Sequence, residues 1–478
     1  MIPLVYTLRK EVSFITCRDS WIVFCQAPLN ILRVGSNAYA MLQCCDGSKS
    51  VHEIAKETGL AEESALKLCD YFSRKAILKT APVANRGFFP CVSVIIPAWN
   101  RATDIVACLQ SVFAQDYPKE KMEVIVVDDG SKENIGDLVR SFPCRLITNP
   151  MNRGAAFARN RGAGEAGGEI LAFLDNDCEA DKAWLRDLVV YFQWDRLGAV
   201  GGFVDGYSET TALSRYEKTC SPLNMGNHIL LSGGRPRFYV PTCNLLVRKK
   251  VFDRTGGMNE RLKVGEDVDF CWRMQDEEQV LWYIPAGVVK HKHRLDLGQM
   301  LKRRFDYGTS EAMLAKLHPD RKKRFSAPIS PAASFLALCL ACILSSPIPL
   351  GISIACVAFD SVKKAVRIHK AGLTVSPSRI LFSVLRTHGY FIHSASFYIV
   401  RYYLVLICML GAFFHSLWLL SLLWILVSGS MDYVLKRPHL SFPTFSLFYV
   451  LDHMAYQVGV GISVTGYSTS RYRQTRNS

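Results

Sequence analysis

Val126-Val127-Asp128-Asp129-Gly130-Ser131 sets an apolar run against two carboxylates and a glycine, and the chain repeats the theme twice. Ile170-Leu171-Ala172-Phe173-Leu174 runs into Asp175-Asn176-Asp177, and Gly265 precedes Glu266-Asp267-Val268-Asp269. An apolar strand that stops at carboxylates delivers them to the carboxyl edge of an α/β sheet, where such sheets bind nucleotides and metals.

Around these stations, strand and helix patterns alternate from Cys91 onward, which predicts a largely parallel sheet covered by helices. Val92-Ser93-Val94-Ile95-Ile96-Pro97 is a buried first strand; proline cannot extend a ladder, so a turn is expected at Pro97. Ala98-Trp99-Asn100-Arg101 then forms an exposed turn before a helix from Ile105 to Gln115. The next strand, Glu123 to Val127, ends at Asp128 and Asp129. A carboxylate there can accept the imide proton of uracil or grip a ribose hydroxyl, and the same four residues also suit a plain turn with a helix cap. Asn152-Arg153-Gly154-Ala155-Ala156-Phe157-Ala158-Arg159-Asn160-Arg161-Gly162 is a helix start with three arginines, suited to an anionic diphosphate. Asp175 and Asp177, at i and i+2, point to one side and can hold a divalent cation. Glu266 and Asp267 open a helix whose dipole keeps a carboxylate ionised, as a proton acceptor needs. Further on, Val288-Val289-Lys290-His291-Lys292-His293 offers two histidines, either of which can complete a metal shell.

The order of these motifs resembles the family 2 glycosyltransferases, with the GT-A fold, over residues 91 to about 295. That resemblance implies inversion at the anomeric carbon, with Asp129 reading the nucleobase and Pro97 and Trp99 lining its pocket. It further implies that Asp177 holds Mg2+ or Mn2+ with help from Asp175 and His291, and that Asp267 is the general base. Arg159 is expected on the nucleotide sugar, with Asp128, Glu266 and His293 as supporting residues.

Ahead of this core, residues 1–85 read as a separate winged-helix-like module. Strands are expected over Leu4 to Leu8, Val12 to Ile15 and Trp21 to Cys25. A helix from Asn37 to Cys44 follows, then one capped by Ser48 or Ser50 through Ala55, broken by Gly59, and one from Ala61 to Leu78. DNA binding would need a basic face, yet Lys49 to Lys79 carries six basic and five acidic residues, so nucleic acid is excluded as a partner. Ser36-Asn37-Ala38-Tyr39-Ala40 through Cys45-Asp46-Gly47, with Val51-His52-Glu53-Ile54-Ala55, resembles the PqqD family, which implies recognition of a precursor peptide at a sheet edge. Arg86-Gly87-Phe88-Phe89-Pro90 is a linker.

The 478 residues carry 57 basic and 42 acidic side chains, a net charge of +15, which suits a phosphorylated ligand or a membrane surface. Sixteen cysteines lie scattered through apolar segments with no signal peptide ahead of them, so reduced, buried thiols facing the cytosol are expected; Cys339-x-x-Cys342 reads as packing. Basic clusters at Lys302-Arg303-Arg304 and Arg321-Lys322-Lys323-Arg324 precede 33 uncharged residues, Ala327 to Phe359. As one helix these would reach about 50 Å, past a bilayer core of roughly 30 Å. Pro347 and Pro349 divide them, and basic residues at both ends favour a hairpin with its ends in the cytosol. A second uncharged run, Tyr402 to Met431, holds Gly411. Arg379 to Arg401 reads as an amphipathic surface helix attracted to anionic lipid, and the tail after Arg471 as polar and disordered.

Three parts are therefore expected: a PqqD-like module (1–85), a catalytic GT-A domain (91–310) and a membrane-associated helical region (325–470), with the catalytic domain on the cytoplasmic side. The combination resembles the mycofactocin-system glycosyltransferases. That implies a UDP-glucose donor, a peptide-derived redox cofactor as acceptor and an oligoglucoside product. Extension of a cell-envelope polysaccharide or glycolipid is the alternative enzymatic reading, and a non-catalytic peptide-binding scaffold the alternative of another class.

Overall fold

The structure is a computed structural model that describes residues 4–17, 20–26, 29–82, 87–232, 238–293, 296–321, 327–370 and 373–464. The expectations for Arg86, Arg294, residues 322–324 and the tail after Arg471 lie outside these. The chain forms two units, Met1–Ser208 with Ser221–His293, and Glu209–Cys220 with Arg294–Ser478.

In the first unit, the amino-terminal module has two three-stranded sheets and three helices. Asp46–Ser50 pairs antiparallel with Leu4–Leu8, which also pairs with Leu78–Pro82. Ser50, not Ser48, caps the helix Val51–Thr58 in a capping box with Glu53, and Gly59 closes that helix at φ 66°. The next helix stops at Arg74 and not at Leu78, because Ala76 takes a left-handed φ of 54° and the chain re-enters the sheet. Ile77 kept the helical spacing because it is fully buried from that turn.

The core of this unit is an eight-stranded sheet. Its order is Leu230–Leu231, Val280–Tyr283, Leu197–Gly201, Leu245–Arg248, Ile170–Phe173, Val92–Ala98, Met122–Asp128, Arg145–Thr148. Strand alternation splits the side chains between two buried faces: Val94, Ile96, Val124 and Val126 on one, Ile95, Ile125 and Val127 on the other. A sheet covered on both faces accounts for near-continuous apolar runs in place of alternating ones. Leu245–Arg248 runs antiparallel to both neighbours. From Val92–Ala98 the chain winds outward through the next two strands, then returns to place Ile170–Phe173 on the other side of the first. That reversal is the topological switch point, beyond whose carboxyl edge open α/β sheets bind ligands.

Pro97 does not end its strand. It pairs in register with Val127, and Ala98 with Asp128, because proline lacks only the N–H and the chain beyond still supplies the Ala98 carbonyl to the Asp129 amide at 2.8 Å. The turn falls instead at Asn100 and Arg101, with φ of 58° and 62°.

The second unit is helical: Ala212–Cys220, Leu297–Leu317, Ile329–Ile343, Leu350–Lys370, Pro377–Gly411, Ser416–Lys436 and Phe442–Val464. Pro347 and Pro349 do divide the first uncharged run. Arg379 to Arg401 is not a separate surface helix; it belongs to the 35-residue helix Pro377–Gly411, which continues into the second uncharged run because nothing between Arg401 and Gly411 breaks it. Pro377–Gly411 and Ser416–Lys436 are long and apolar enough to cross a membrane. Leu297–Leu317 and Phe442–Val464 meet backbone to backbone: a Cβ on Gly308 would strike the Tyr456 carbonyl, and one on Gly459 the Phe305 carbonyl. Beside that crossing Arg304, 2% exposed, donates to Asp452 at 2.8 Å and to Glu217 at 2.5 Å. A buried guanidinium needs this, since one uncompensated charge costs several kcal/mol, on the order of 3–5.

Candidate functional site

At the switch point the first strand turns through Trp99-Asn100-Arg101. Two successive left-handed residues that are not glycine cost on the order of 1–3 kcal/mol each and persist only when surroundings fix them. Here the Asn100 amide donates to Ser131 Oγ at 2.7 Å, the Asn100 side chain accepts from the Lys132 amide at 2.9 Å, and Asn176 donates to the Asn100 carbonyl at 3.3 Å. The turn is thus tied to both acidic stations. It aims Arg101 at Asp177 and Asp104, while Trp99 stands 53% exposed at the rim and Pro97 is buried beneath it.

Asp129, 3% exposed, accepts from Asn149 at 2.7 Å and from the amides of Arg153 and Gly154 at 2.9 and 2.7 Å. It thereby fixes the loop that starts helix Ala155–Gly164, and of its roughly four acceptor positions one stays open on Oδ1. Asp128 accepts from the Ser131 amide at 3.0 Å and shapes the turn.

The sequence pattern makes the helix start a diphosphate site, with Arg159 on the nucleotide sugar. The structure gives Arg159 two carboxylates instead: it is 3% exposed, with Asp175 at 2.5 Å and Glu266 at 2.8 Å. Burial works against its charge, and Asp175 and Glu266 outweigh burial, so the guanidinium stays well above its ordinary range. One arginine therefore joins the Asp175–Asp177 segment to the Glu266–Asp267 segment. Asp267 is the next residue along, half-buried in the first turn of helix Glu266–Asp276 after Gly265 at φ 86°.

His291 reaches this place through a small sheet in which it pairs with Cys178, and the Lys292 amide donates to the Asp177 carbonyl at 2.9 Å. His291 Nε2 lies 3.5 Å from Asp177 Oδ1; His293 stands beyond it, ring centroids 4.8 Å apart. Asp177, Cys178 and His291 present ligand atoms within 4.8 Å of one another, the one such group among the described residues. A divalent Mg2+ or Mn2+ fits Asp177 and His291, oxygen and imidazole donors; His291 Nδ1 is buried with no hydrogen-bond partner among the described residues. Cys178 does not fit, because its soft sulfur is a poor ligand for either of these hard ions. Cys339 and Cys342 sit one turn apart on helix Ile329–Ile343 as free thiols.

Sequence reasoning missed Arg101 as the partner of Asp177 and Asn149 as the partner of Asp129. Arg101 closes the Trp99-Asn100-Arg101 turn, but only its left-handed backbone directs it inward.

A doubly covered sheet with acidic residues at its switch point defines the nucleotide-diphospho-sugar transferase class, GT-A. Residues 93–257 match the family described as Glycosyl transferase family 2. The chain is 34% identical over 229 residues to glycosyltransferase AglE of Haloferax volcanii, spanning 46% of this chain and 73% of that one. It is 29% identical over 306 residues to the pre-mycofactocin glycosyltransferase of Mycobacterium tuberculosis, 62% of this chain and 60% of that relative's length. The chain belongs to glycosyl transferase family 2. Among solved structures, the mannosyltransferase PcManGT from Pyrobaculum calidifontis, in complex with GDP-Man and Mn2+, aligns over 63% of this chain and 88% of its own with a TM-score of 0.39 at 19% identity.

Proposed function

We propose that the protein is a metal-dependent, inverting hexosyltransferase that moves glucose from UDP-glucose onto a peptide-derived redox cofactor of the mycofactocin kind, or its precursor. The observation that supports this reading is the Arg159 bridge, which joins Asp175 and Glu266 and so ties the segment of Asp177 to the segment of Asp267. Similarity to the pre-mycofactocin glycosyltransferase supports the acceptor class. In the proposed reaction, Asp129 accepts from the nucleobase, and Trp99 and Pro97 flank it. Asp177 and His291 hold Mg2+ or Mn2+, which when bound offsets the charge that develops on the departing diphosphate. Asp267 takes the acceptor hydroxyl proton as that oxygen bonds the anomeric carbon from the face opposite the breaking bond to diphosphate. Inversion follows, and no sugar–enzyme bond is formed.

Residues 1–85 would present a sheet edge to a precursor peptide, residues 91–310 carry the chemistry, and residues 325–470 hold the enzyme to a membrane with the catalytic domain on the cytoplasmic side. The two apolar helices also favour a second reading, extension of a cell-envelope polysaccharide or glycolipid. Incubating the purified chain with several UDP-sugars, Mn2+ and a peptide-derived acceptor, followed by mass spectrometry, distinguishes these. A hexose mass increment on the peptide-derived acceptor is expected. Donor hydrolysis without transfer to it would favour the glycolipid reading, and no turnover of any donor a binding scaffold.

A further inference from the structure

Helices Leu350–Lys370 and Pro377–Gly411 lie side by side where Lys364 Nζ donates to Ser383 Oγ at 2.5 Å. Arg367 is three residues on from Lys364, and Arg386 three on from Ser383, so by helical spacing each continues the same face of its own helix toward the contact. Lys364 is half-buried, Arg367 and Arg386 exposed. Burial, then Arg386, then Arg367 push the Lys364 ammonium below its ordinary range. The carboxylate of this helix nearest in sequence, Asp360, is engaged by His388 at 2.9 Å. Three like charges crowded together with a buried member raise the energy of the fold unless an anion joins them. Phe382, 69% exposed, stands four residues before Arg386 and so on the same face of its helix.

We propose that Lys364, Arg367 and Arg386 form a binding site for the phosphate of an anionic membrane lipid, an acyl chain of which covers Phe382. A free phosphate would satisfy the cations and leave Phe382 in water; a lipid satisfies both. The site rests on the membrane attachment proposed above.

The test uses the full chain in a nonionic detergent, titrated with phosphatidylglycerol or phosphatidylcholine, with retained lipid counted by native mass spectrometry. Wild type retains phosphatidylglycerol over phosphatidylcholine. At about 1 kcal/mol per basic residue near a membrane surface, roughly fivefold each, the triple variant Lys364→Gln, Arg367→Gln, Arg386→Gln loses on the order of a hundredfold of that preference. Arg386→Gln alone, at an exposed position that cannot unfold the helix pair, loses a few-fold. A charge-matched control, Lys121→Gln, Lys182→Gln, Lys250→Gln, keeps it. Unchanged preference in the triple variant, equal loss in the control, or displacement of the lipid by inorganic phosphate overturns the proposal. Flotation with phosphatidylcholine vesicles reports membrane attachment separately, so failure of that reading is seen apart from failure of the site.

Discussion

Arg159 and Glu266 stand 107 positions apart in the chain and meet at 2.8 Å, with Asp175 on the other arm of the same guanidinium. Replacing Arg159 with methionine leaves two carboxylates facing each other without a cation. A loss of about 3–5 kcal/mol is expected, the range for breaking a buried pair. Thermal unfolding checks this, and Arg159→Lys recovers only part of it, because a single ammonium nitrogen lacks the planar fork that meets the two acids through separate nitrogens.

Asp177→Asn should leave the fold intact, since the Cys178–His291 pairing is made by backbone, and should abolish metal-stimulated transfer. Chelator added to the wild type should do the same and be reversed by excess Mn2+. Full activity in the variant would remove Asp177 from the site.

Asp267→Asn is expected to lower kcat by roughly 10²–10⁴, the usual worth of a general base, with the donor KM held. Initial rates against UDP-sugar and acceptor separate the two constants. A variant that raises only KM would make Asp267 a binding group.

Ser50→Ala removes the capping box of helix Val51–Thr58 and should cost the amino-terminal module about 1 kcal/mol. Denaturant unfolding detects this, and Ser48→Ala should not reproduce it.

Gly308→Ala drives a methyl into the Tyr456 carbonyl and should destabilise the helical unit by about 1–3 kcal/mol, as overpacking does. Gly351→Ala, with open space around its Cα, serves as the control in a detergent-stability assay.

The sheet was legible because its strands are apolar and end at acids, and that pattern survives in one dimension. What the sequence left open was decided by contacts between distant segments. His291 and His293 could not be told apart until the register with Cys178 placed the first beside Asp177. Arg159 looked like a phosphate ligand because it opens a helix with small residues; its burial depends on a carboxylate far along the chain. Pro97 read as a strand end because its missing N–H is visible in sequence, whereas its register opposite Val127 is not. The helix Pro377–Gly411 was divided on charge alone, and Arg401 turned out to be compatible with an unbroken helix because it is paired with Asp452 at 3.3 Å.

The glycine-to-carbonyl crossing of Leu297–Leu317 with Phe442–Val464 has a practical corollary for protein engineering. The last described helix is the packing partner of the first long one in its unit and also brings Asp452 to Arg304. A truncation that stops short of residue 442 therefore does more than shorten the carboxyl end: it uncovers the packing face of Leu297–Leu317 and takes from Arg304 one of its two carboxylates. Purification tags belong after Val464, where they leave this clasp shut.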